Sequence, residues 1–262
     1  MSVIFFQMGD LVVYTHGVVT ALAVLLALGM AHYLAAGTSY RQHIMNLVPY
    51  LLVGAVACAR IWHVFFFQWG YYSKHLSEIP LVWQGGISIQ GALIGGFAAM
   101  YVYARRHGLS FWALADLLAP AIVLGQSIGR IACFLNGDAF GAPTGLGFGM
   151  VYREGTEAFA TYGAQPLWPA ELFESQWDLI IFVVLLLVRN RKWPAGMQFL
   201  AYNMMYSFGR FNLEWLRGDS PRYALNWTAG QWTSFSVVMI SICAMGALYL
   251  HERRNVSSGM TS

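Results

Sequence analysis

Four charged side chains that lie inside or next to long apolar segments are of types that can perform chemistry: Arg60, Arg130, Arg210 and Glu214. A charge in a bilayer is expensive, so such residues are usually paired or functional. Arg210 and Glu214 are four residues apart and can pair on one helix face, with Tyr206 one turn earlier. Guanidinium groups bind phosphate with two parallel hydrogen bonds. The pattern therefore predicts a site for a phosphodiester headgroup, with purely structural roles for Arg60 and for the Arg210–Glu214 pair as the alternative.

The sequence around Arg130, GRIACFLNGDAFG over 129–141, is small, flexible and polar where an apolar span should end. Such a stretch predicts a broken helix whose free N–H groups and guanidinium face an anion. An ordinary helix end followed by a loop is the alternative. Cys133 within this stretch fits a small packing residue, and a nucleophile that forms a covalent lipid intermediate is the alternative.

The composition predicts the class of protein that must position these residues. Hydrophobic residues make up 58% of the chain and charged residues only 10%, whereas a soluble domain carries about 25% charged residues. Continuous apolar runs of about 20 residues indicate membrane-spanning helices. We therefore expect an all-α integral membrane protein with about seven transmembrane helices. The predicted spans are 12–36, 44–67, 85–104, 112–128, 170–188, 197–215 and 232–251.

Basic residues at alternate connections predict the orientation of these spans. One side carries Arg41, Arg105, Arg106, Arg189, Arg191, Lys192, Arg253 and Arg254. The side rich in Lys and Arg is expected to be cytoplasmic, which puts the N-terminus outside and the C-terminus inside a bacterial inner membrane. The N-terminal apolar segment lacks a basic start and a small-residue cleavage site, which favours a retained span. We predict one domain over 1–262, with 136–169 as a periplasmic head segment and 255–262 as a cytoplasmic tail.

Charge and cysteine content exclude several classes of function. The net charge is +3, and no run of five like charges occurs, so nucleic-acid binding is not expected. The three cysteines, Cys58, Cys133 and Cys243, form no CxxC pair and suggest neither a disulfide framework nor a zinc site. We therefore expect no metal and no cofactor.

Five ordered motifs resemble the bacterial prolipoprotein diacylglyceryl transferase family. The segment 129–141 is similar to the signature G-R-x-G-N-F-x-N-G-E-x-x-G of that family. The other similar segments are WQGGISIQGALIG at 83–95, Asp116 with Ala119 and Pro120, PAELFE at 169–174 and YSFGRFNLEWLR at 206–217. Together the motifs cover most of the chain, from about residue 14 to residue 217.

The resemblance implies a seven-span fold with an outer head. It also implies transfer of a diacylglyceryl group from phosphatidylglycerol to the lipobox cysteine of a preprolipoprotein, with glycerol phosphate as the co-product. Expected catalytic residues are Arg130, Arg210, Glu214, Asp138, Tyr206 and His16. Expected contacts to phosphatidylglycerol come from Arg130, Arg210, Gln90, Asn136, Gly141, Cys133 and Arg60. Asp138 and Glu214 are expected to orient the two arginines.

The chain departs from the family pattern at several positions. Cys133 stands where asparagine is usual, Gln90 and Trp168 each replace a histidine, and His16 falls where a tyrosine precedes glycine. Because glutamine cannot accept a proton, the proton acceptor stays open between His16 and His63.

Three other functions are alternatives to a transferase. The departures from the family pattern leave a catalytically altered paralog that binds phospholipid or lipoprotein as the main alternative. A secondary transporter would favour inverted repeats, and the sequence contains no internal repeat. An intramembrane protease would need a base beside Ser88, and no histidine follows it in a comparable span.

Overall fold

A computed structural model describes residues 4–9 and 11–259 of the chain. An antiparallel hairpin of β1 (Ile4–Met8) and β2 (Leu11–Tyr14) comes first. The α-helices that follow are α1 (Thr15–Leu34), α2 (Arg41–Trp62), α3 (Trp69–Tyr72), α4 (Ile89–Arg106), α5 (Phe111–Asn136), α6 (Glu157–Tyr162), α7 (Ala170–Val188), α8 (Met197–Leu213) and α9 (Ala229–Gly259). The described part is mostly helical, as expected. The hairpin was not predicted, and it takes residues 12–14 out of the first predicted span.

Four helical segments are long and apolar enough to cross a membrane. They are Thr15–Leu34, Arg41–Phe67, Phe111–Asn136 and Ala229–Leu250. The other three predicted spans also form helices, namely α4, α7 and α8, but these are shorter or carry charged side chains. A mostly helical membrane protein is therefore confirmed, consistent with the predicted all-α class, whereas the count of seven spans stays a prediction.

Helix α5 does not break at Arg130. It continues to Asn136, so the predicted end at residue 128 and the broken helix after it are wrong. The helix ends at Gly137, whose φ of 75° is in the left-handed region that favours glycine. The N–H groups of Gly137 and Asp138 both donate to the carbonyl of Cys133, at 2.8 and 3.3 Å. This cap turns the chain immediately after the helix and holds Asp138 next to the last turn.

The chain divides into two compact units, His32–Leu114 and the remainder, Met1–Ala31 with Ala115–Ser262. Within His32–Leu114, α2 and α4 pack closely because glycines face the contact. A Cβ on Gly91 would lie 2.8 Å from the Cα of Ala59, and one on Gly95 would lie 2.6 Å from the Cβ of Cys58. Glycine is therefore what allows the two helices to approach this closely at these two positions.

Arg60 ties a loop of this unit to α2. Its guanidinium donates to the carbonyls of Glu78, Ile79, Gly85 and Gly86 at 2.6–3.0 Å. The residue is only 4% exposed. Four carbonyl acceptors for one buried guanidinium favour a structural role for Arg60, and its predicted contact with phosphatidylglycerol stays a prediction.

Replacing Arg60 with alanine should lower stability, because four carbonyls lose one buried charged donor at once. Hydrogen bonds to charged groups contribute about 1.5–3 kcal/mol each, so we expect a loss of about 3 kcal/mol or more. Thermal unfolding of the purified protein in detergent measures it. Arg105→Ala is the matched control, because Arg105 is exposed and its guanidinium donates to the hydroxyl of Tyr101 rather than to a set of carbonyls. Equal stability of the two variants would contradict the structural role.

Within the larger unit, polar side chains fix the positions of α5, α7 and α8. The Asp116 carboxylate in α5 accepts from the N–H groups of Gly196 and Phe199, both at 2.7 Å, and so caps the start of α8. The Ser127 hydroxyl of α5 donates to the Ser175 carbonyl of α7 at 2.9 Å. These bonds hold the three helices that carry the candidate site.

The segment 136–169 is an ordered structure with a small core of its own. Phe140, Tyr152, Ala158 and Leu167 are buried together. The Leu167 backbone pairs with Met150, and both the N–H and the carbonyl of Leu167 take part at 2.9 Å. The segment is therefore a folded element, and its assignment as a periplasmic head stays a prediction.

Candidate active site

The centre of the candidate site is the carboxylate of Glu174, in the second turn of α7. Its Oε2 lies 2.7 Å from the Nε of Arg130, and its Oε1 lies 2.5 Å from a terminal nitrogen of Arg210. A third guanidinium, that of Arg217, lies 3.4 Å from the same Oε1. Residues from α5, α7 and the end of α8 thus converge on one buried carboxylate, and the structure brings Arg130 and Arg210 together.

Glu174, the last residue of the motif PAELFE, was not among the predicted site residues. Glu171, Glu174 and Asp178 all lie within the predicted span 170–188. All three are buried, at 0%, 4% and 2% exposure. Three carboxylates spaced by three and four residues on an apolar helix are the same intramembrane signal that singled out Arg130 and Arg210. These three carboxylates could therefore have been predicted as site residues from the sequence.

Glu214 holds Arg210 from the other side, as its spacing predicts. Its Oε2 lies 2.9 Å from a terminal nitrogen of Arg210. Its Oε1 accepts a 2.9 Å hydrogen bond from the Thr228 hydroxyl just before α9. Gly230 leaves the space this carboxylate needs, because a Cβ there would lie 3.0 Å from Oε1. The predicted i, i+4 pair is confirmed, and it is anchored to α9 as well as α8.

Not all of these contacts are aligned hydrogen bonds. Oε2 of Glu174 and Oε2 of Glu214 are buried and receive no aligned hydrogen bond from the described residues. Both nevertheless lie within 3 Å of a guanidinium nitrogen. The Arg130 and Arg210 side chains are 22% and 19% exposed, in contrast to the 5% of Glu174. The carboxylates therefore hold the arginines electrostatically, while the two arginine side chains stay partly exposed.

Tyr206 completes this side of the site. Its hydroxyl is within hydrogen-bonding range of Arg130. Tyr206, Arg210, Glu174 and Asp178 line a narrow pocket of about 10 Å³ together with Trp177 and Leu213. Oδ2 of Asp178 is buried there without a hydrogen bond from the described part of the chain. The arrangement can bind an anion at the guanidiniums, with a hydroxyl donor beside it.

The head segment is joined to the site through Arg217. Gly141 pairs with Arg217 in a short antiparallel bridge, and its N–H donates to the Trp168 carbonyl at 3.1 Å. A Cβ on Gly141 would collide with Trp168, so glycine is required there for packing. The Arg217 guanidinium also donates to the carboxylate of Asp219. Arg217 is thereby fixed between the head and Glu174.

A buried tyrosine supports the start of α7. The Tyr152 hydroxyl donates to both carboxylate oxygens of Glu171, at 2.8 and 2.9 Å. Burial raises the pKa of Tyr152, and the adjacent Glu171 carboxylate raises it further. The hydroxyl therefore stays protonated and remains a donor at every physiological pH.

Asp138 does not orient an arginine, and that expectation is wrong. No ion pair joins it to Arg130 or Arg210 within residues 4–9 and 11–259. Its carboxylate instead forms a second cluster with His16, in the first turn of α1, and Cys133, in the last turn of α5. One candidate ligand atom from each residue lies within 4.8 Å of the others. Glu174 takes the orienting role that was expected of Asp138.

The other predicted site residues lie on α5 and in the smaller unit. Asn136 is the last residue of α5. Gln90 is in the first turn of α4, in the smaller unit, where its amide oxygen accepts a 2.6 Å hydrogen bond from Ser88. The His63 ring follows α2 and packs against Phe67 and Tyr72. Arg60 is held by carbonyls of the same unit, as described above.

The chain is similar to one family over nearly its whole length. The family model of prolipoprotein diacylglyceryl transferase matches residues 3–247. A phosphatidylglycerol–prolipoprotein diacylglyceryl transferase of Geobacillus kaustophilus is 39% identical over 251 residues, which cover 91% of this chain and 89% of that protein. The protein of that name from Acaryochloris marina is 39% identical over 221 residues, with coverages of 82% and 79%. The one from Ligilactobacillus salivarius is 36% identical over 257 residues, with coverages of 91% and 90%.

Proposed function

This chain belongs to the prolipoprotein diacylglyceryl transferase family, and we propose that Arg130 and Arg210 form the site that binds the phosphate of its lipid substrate. The chain is a transferase that moves a diacylglyceryl group from phosphatidylglycerol to a prolipoprotein, the first step of lipoprotein maturation. One observation carries the assignment of the site: both guanidiniums contact the single buried carboxylate of Glu174.

The reaction requires fixed positive charge. The acceptor in our proposal is the thiol of the lipobox cysteine. Its thiolate attacks the carbon of the diacylglyceryl group that carries the phosphate. A carbon–sulfur bond forms while the carbon–oxygen bond to the phosphate breaks, and glycerol phosphate leaves with the electron pair. Arg130 and Arg210 stabilise the charge that develops on that oxygen, which is most effective in a site with little water.

The carboxylates give the arginines their geometry. Glu174 and Glu214 hold Arg210 through separate terminal nitrogens, at 2.5 and 2.9 Å, so its guanidinium plane is fixed. A pre-oriented donor costs no reorganisation when the charge develops. Tyr206, within hydrogen-bonding range of Arg130, adds a hydroxyl that can donate to the same phosphate. Glu174 and Glu214 are therefore positioning residues in this proposal.

Further contacts to the lipid come from the same end of α5. Asn136 is the last residue of that helix, directly before the capping Gly137. Gly141 follows four residues later, and its backbone pairs with Arg217. We assign them to the headgroup side of phosphatidylglycerol because they follow Arg130 closely. Gln90 belongs to the smaller unit and enters the proposal as a hydrogen-bonding residue only, because glutamine cannot accept a proton.

The membrane topology in this proposal has seven spans in the bacterial inner membrane. It adds α4, α7 and α8 to the four apolar helices and treats the chain as one functional domain. The excess of Lys and Arg at alternate connections supports an outside N-terminus and a cytoplasmic C-terminus. The same rule places the head segment, 136–169, on the periplasmic side.

The function is tested with purified protein, phosphatidylglycerol and a synthetic lipobox peptide. Mass spectrometry of the peptide should show the added mass of one diacylglyceryl group. A peptide with serine in place of the lipobox cysteine is the control, and it should stay unmodified. An unmodified cysteine peptide under conditions where the protein is folded would contradict the proposal and favour a paralog that only binds its ligands.

A further inference from the structure

We propose that His16, Cys133 and Asp138 bind a Zn²⁺ ion, and that this ion holds the thiolate of the acceptor cysteine during transfer. No metal was expected from the sequence, because the cysteine spacing alone suggests none. The second half of the proposal rests on the proposed function, since only the transfer reaction brings that thiol to the site.

Three separate elements supply the three side chains. His16 comes from the first turn of α1, Cys133 from the last turn of α5, and Asp138 from the turn that follows. Their candidate ligand atoms lie within 4.8 Å of one another. Zinc bonds to such atoms measure about 2.0–2.3 Å. Small rotations of the side chains therefore suffice to bring all three atoms onto one ion.

Two atoms of this cluster have no described partner. Nδ1 of His16 and Oδ1 of Asp138 are buried, and neither makes a hydrogen bond within residues 4–9 and 11–259. Buried polar atoms in native proteins are nearly always bonded, and a bound ion is one reason for an exception. An ion coordinated by these residues would satisfy both side chains at once.

The types of ligand atom select the metal. One thiolate sulfur, one imidazole nitrogen and one carboxylate oxygen are the donors that Zn²⁺ prefers, whereas Mg²⁺ and Ca²⁺ prefer oxygen alone. Structural zinc sites are usually closed by four protein ligands, while catalytic sites use three and keep one position open. A set of three therefore indicates an open site.

A zinc site would explain why this chain departs from the family pattern at these positions. His16 stands where that pattern has tyrosine and Cys133 where it has asparagine, so two poor zinc ligands are replaced by two good ones. Gln90 replaces a histidine and removes a side chain that can accept a proton. A thiol that coordinates a metal is deprotonated outright. The ion would thus make the thiolate available without a proton-accepting side chain at position 90.

The cluster lies beside the proposed phosphate site. Cys133 follows Arg130 by three residues on α5, so the two side chains share a helix face. In the proposed step, the acceptor thiol releases its proton to water as its sulfur binds Zn²⁺. The zinc-bound sulfur attacks the glycerol carbon, the carbon–sulfur bond forms, and glycerol phosphate leaves toward Arg130 and Arg210. The thioether product is neutral and dissociates from the ion.

Metal content tests the site without reference to activity. We expect wild-type protein, purified without chelators, to hold stoichiometric zinc by elemental mass spectrometry. Cys133→Ser and Asp138→Asn should lose most of it, while Cys243→Ser, a change at an exposed position in α9, should not. Co²⁺-loaded protein should show a thiolate-to-cobalt charge-transfer band that Cys133→Ser abolishes and Cys243→Ser leaves unchanged. Wild-type protein without stoichiometric metal, or a Cys133→Ser variant that keeps it, would overturn the site.

The role of the ion is tested with the lipobox peptide. Adding the cysteine peptide to the Co²⁺ protein should shift the cobalt spectrum, and the serine peptide should not. Removing zinc should stop diacylglyceryl transfer, and adding it back should restore the rate. Full transfer by metal-free protein would overturn the inference and leave the proposed function intact. Stoichiometric zinc in a protein that transfers no lipid would contradict the proposed function and leave the metal site intact.

Discussion

Replacing Arg210 with alanine should reduce diacylglyceryl transfer by about 100- to 1000-fold or more. Removing one donor from an oxyanion site costs about 3–4 kcal/mol, and Arg210 also positions its partners. Arg130→Ala should have an effect of the same order, because Arg130 contacts the same carboxylate. The measurement is the rate of peptide modification at saturating phosphatidylglycerol, with purified variants in detergent.

Loss of folding must be separated from loss of catalysis in this experiment. Arg210→Ala leaves Glu174 and Glu214 short of a positive partner, and breaking a buried pair can cost about 3–5 kcal/mol of stability. Arg210→Lys keeps the charge but not the two-pronged geometry, so it should fold better and recover only part of the rate. Arg222→Ala is the matched control, since Arg222 is exposed and its side chain contacts the carbonyl of Asn226 and the Trp215 ring rather than Glu174 or Glu214. Wild-type turnover by folded Arg210→Ala would remove the basis of the phosphate site.

Local spacing predicted the contacts that are local. Arg210 and Glu214 pair because residues four apart share a helix face, and the pair forms at 2.9 Å. The meeting of Arg130 with Arg210 could not come from spacing, because they lie on different helices. It was expected only from the resemblance of two distant motifs to one family. Packing through Glu174, which neither spacing nor the quoted motifs singled out, is the physical reason they meet.

Two errors in the predicted fold have identifiable causes. The stretch 129–141 predicts a broken helix because it contains Gly129 and polar residues, yet Ile131, Ala132, Phe134 and Leu135 continue α5 to Asn136. The true terminator is Gly137, which adopts the left-handed conformation. The hairpin also had a signal, since Gly-Asp at 9–10 separates two runs typical of strands. Because residues 12–14 of the second strand are apolar, they were assigned to the first predicted span.

The second cluster, His16, Cys133 and Asp138, could not be predicted from the sequence alone. A single histidine or cysteine in an apolar segment is most often a packing residue or a satisfied core residue. Their juxtaposition with Asp138 depends on how α1 is placed beside the end of α5, which no local pattern encodes. A metal site built from three separate elements is therefore visible only after folding.

Neutralising Glu174 should impair catalysis without weakening substrate binding. In Glu174→Gln the side chain keeps its shape but no longer attracts three guanidiniums, so Arg130 and Arg210 repel each other and lose their shared orientation. A misplacement of about 1 Å can cost about 100-fold in rate, and we expect a fall in kcat of that order. Because one negative charge near the phosphate is lost, the KM for phosphatidylglycerol should stay the same or fall. Steady-state kinetics with varied lipid content measures both constants.

The split between kcat and KM distinguishes a positioning role from a general structural one. If Glu174 served stability alone, Glu174→Gln would lower the yield of folded protein and leave kcat per folded molecule unchanged. Glu174→Asp retains the charge but shortens the reach, so it should recover part of kcat. Glu157→Gln, an exposed carboxylate in the first turn of α6, should match wild type in both constants. A rise in KM with unchanged kcat in Glu174→Gln would mean that the carboxylate contributes to binding the lipid, and that the arginines do not need it for their geometry.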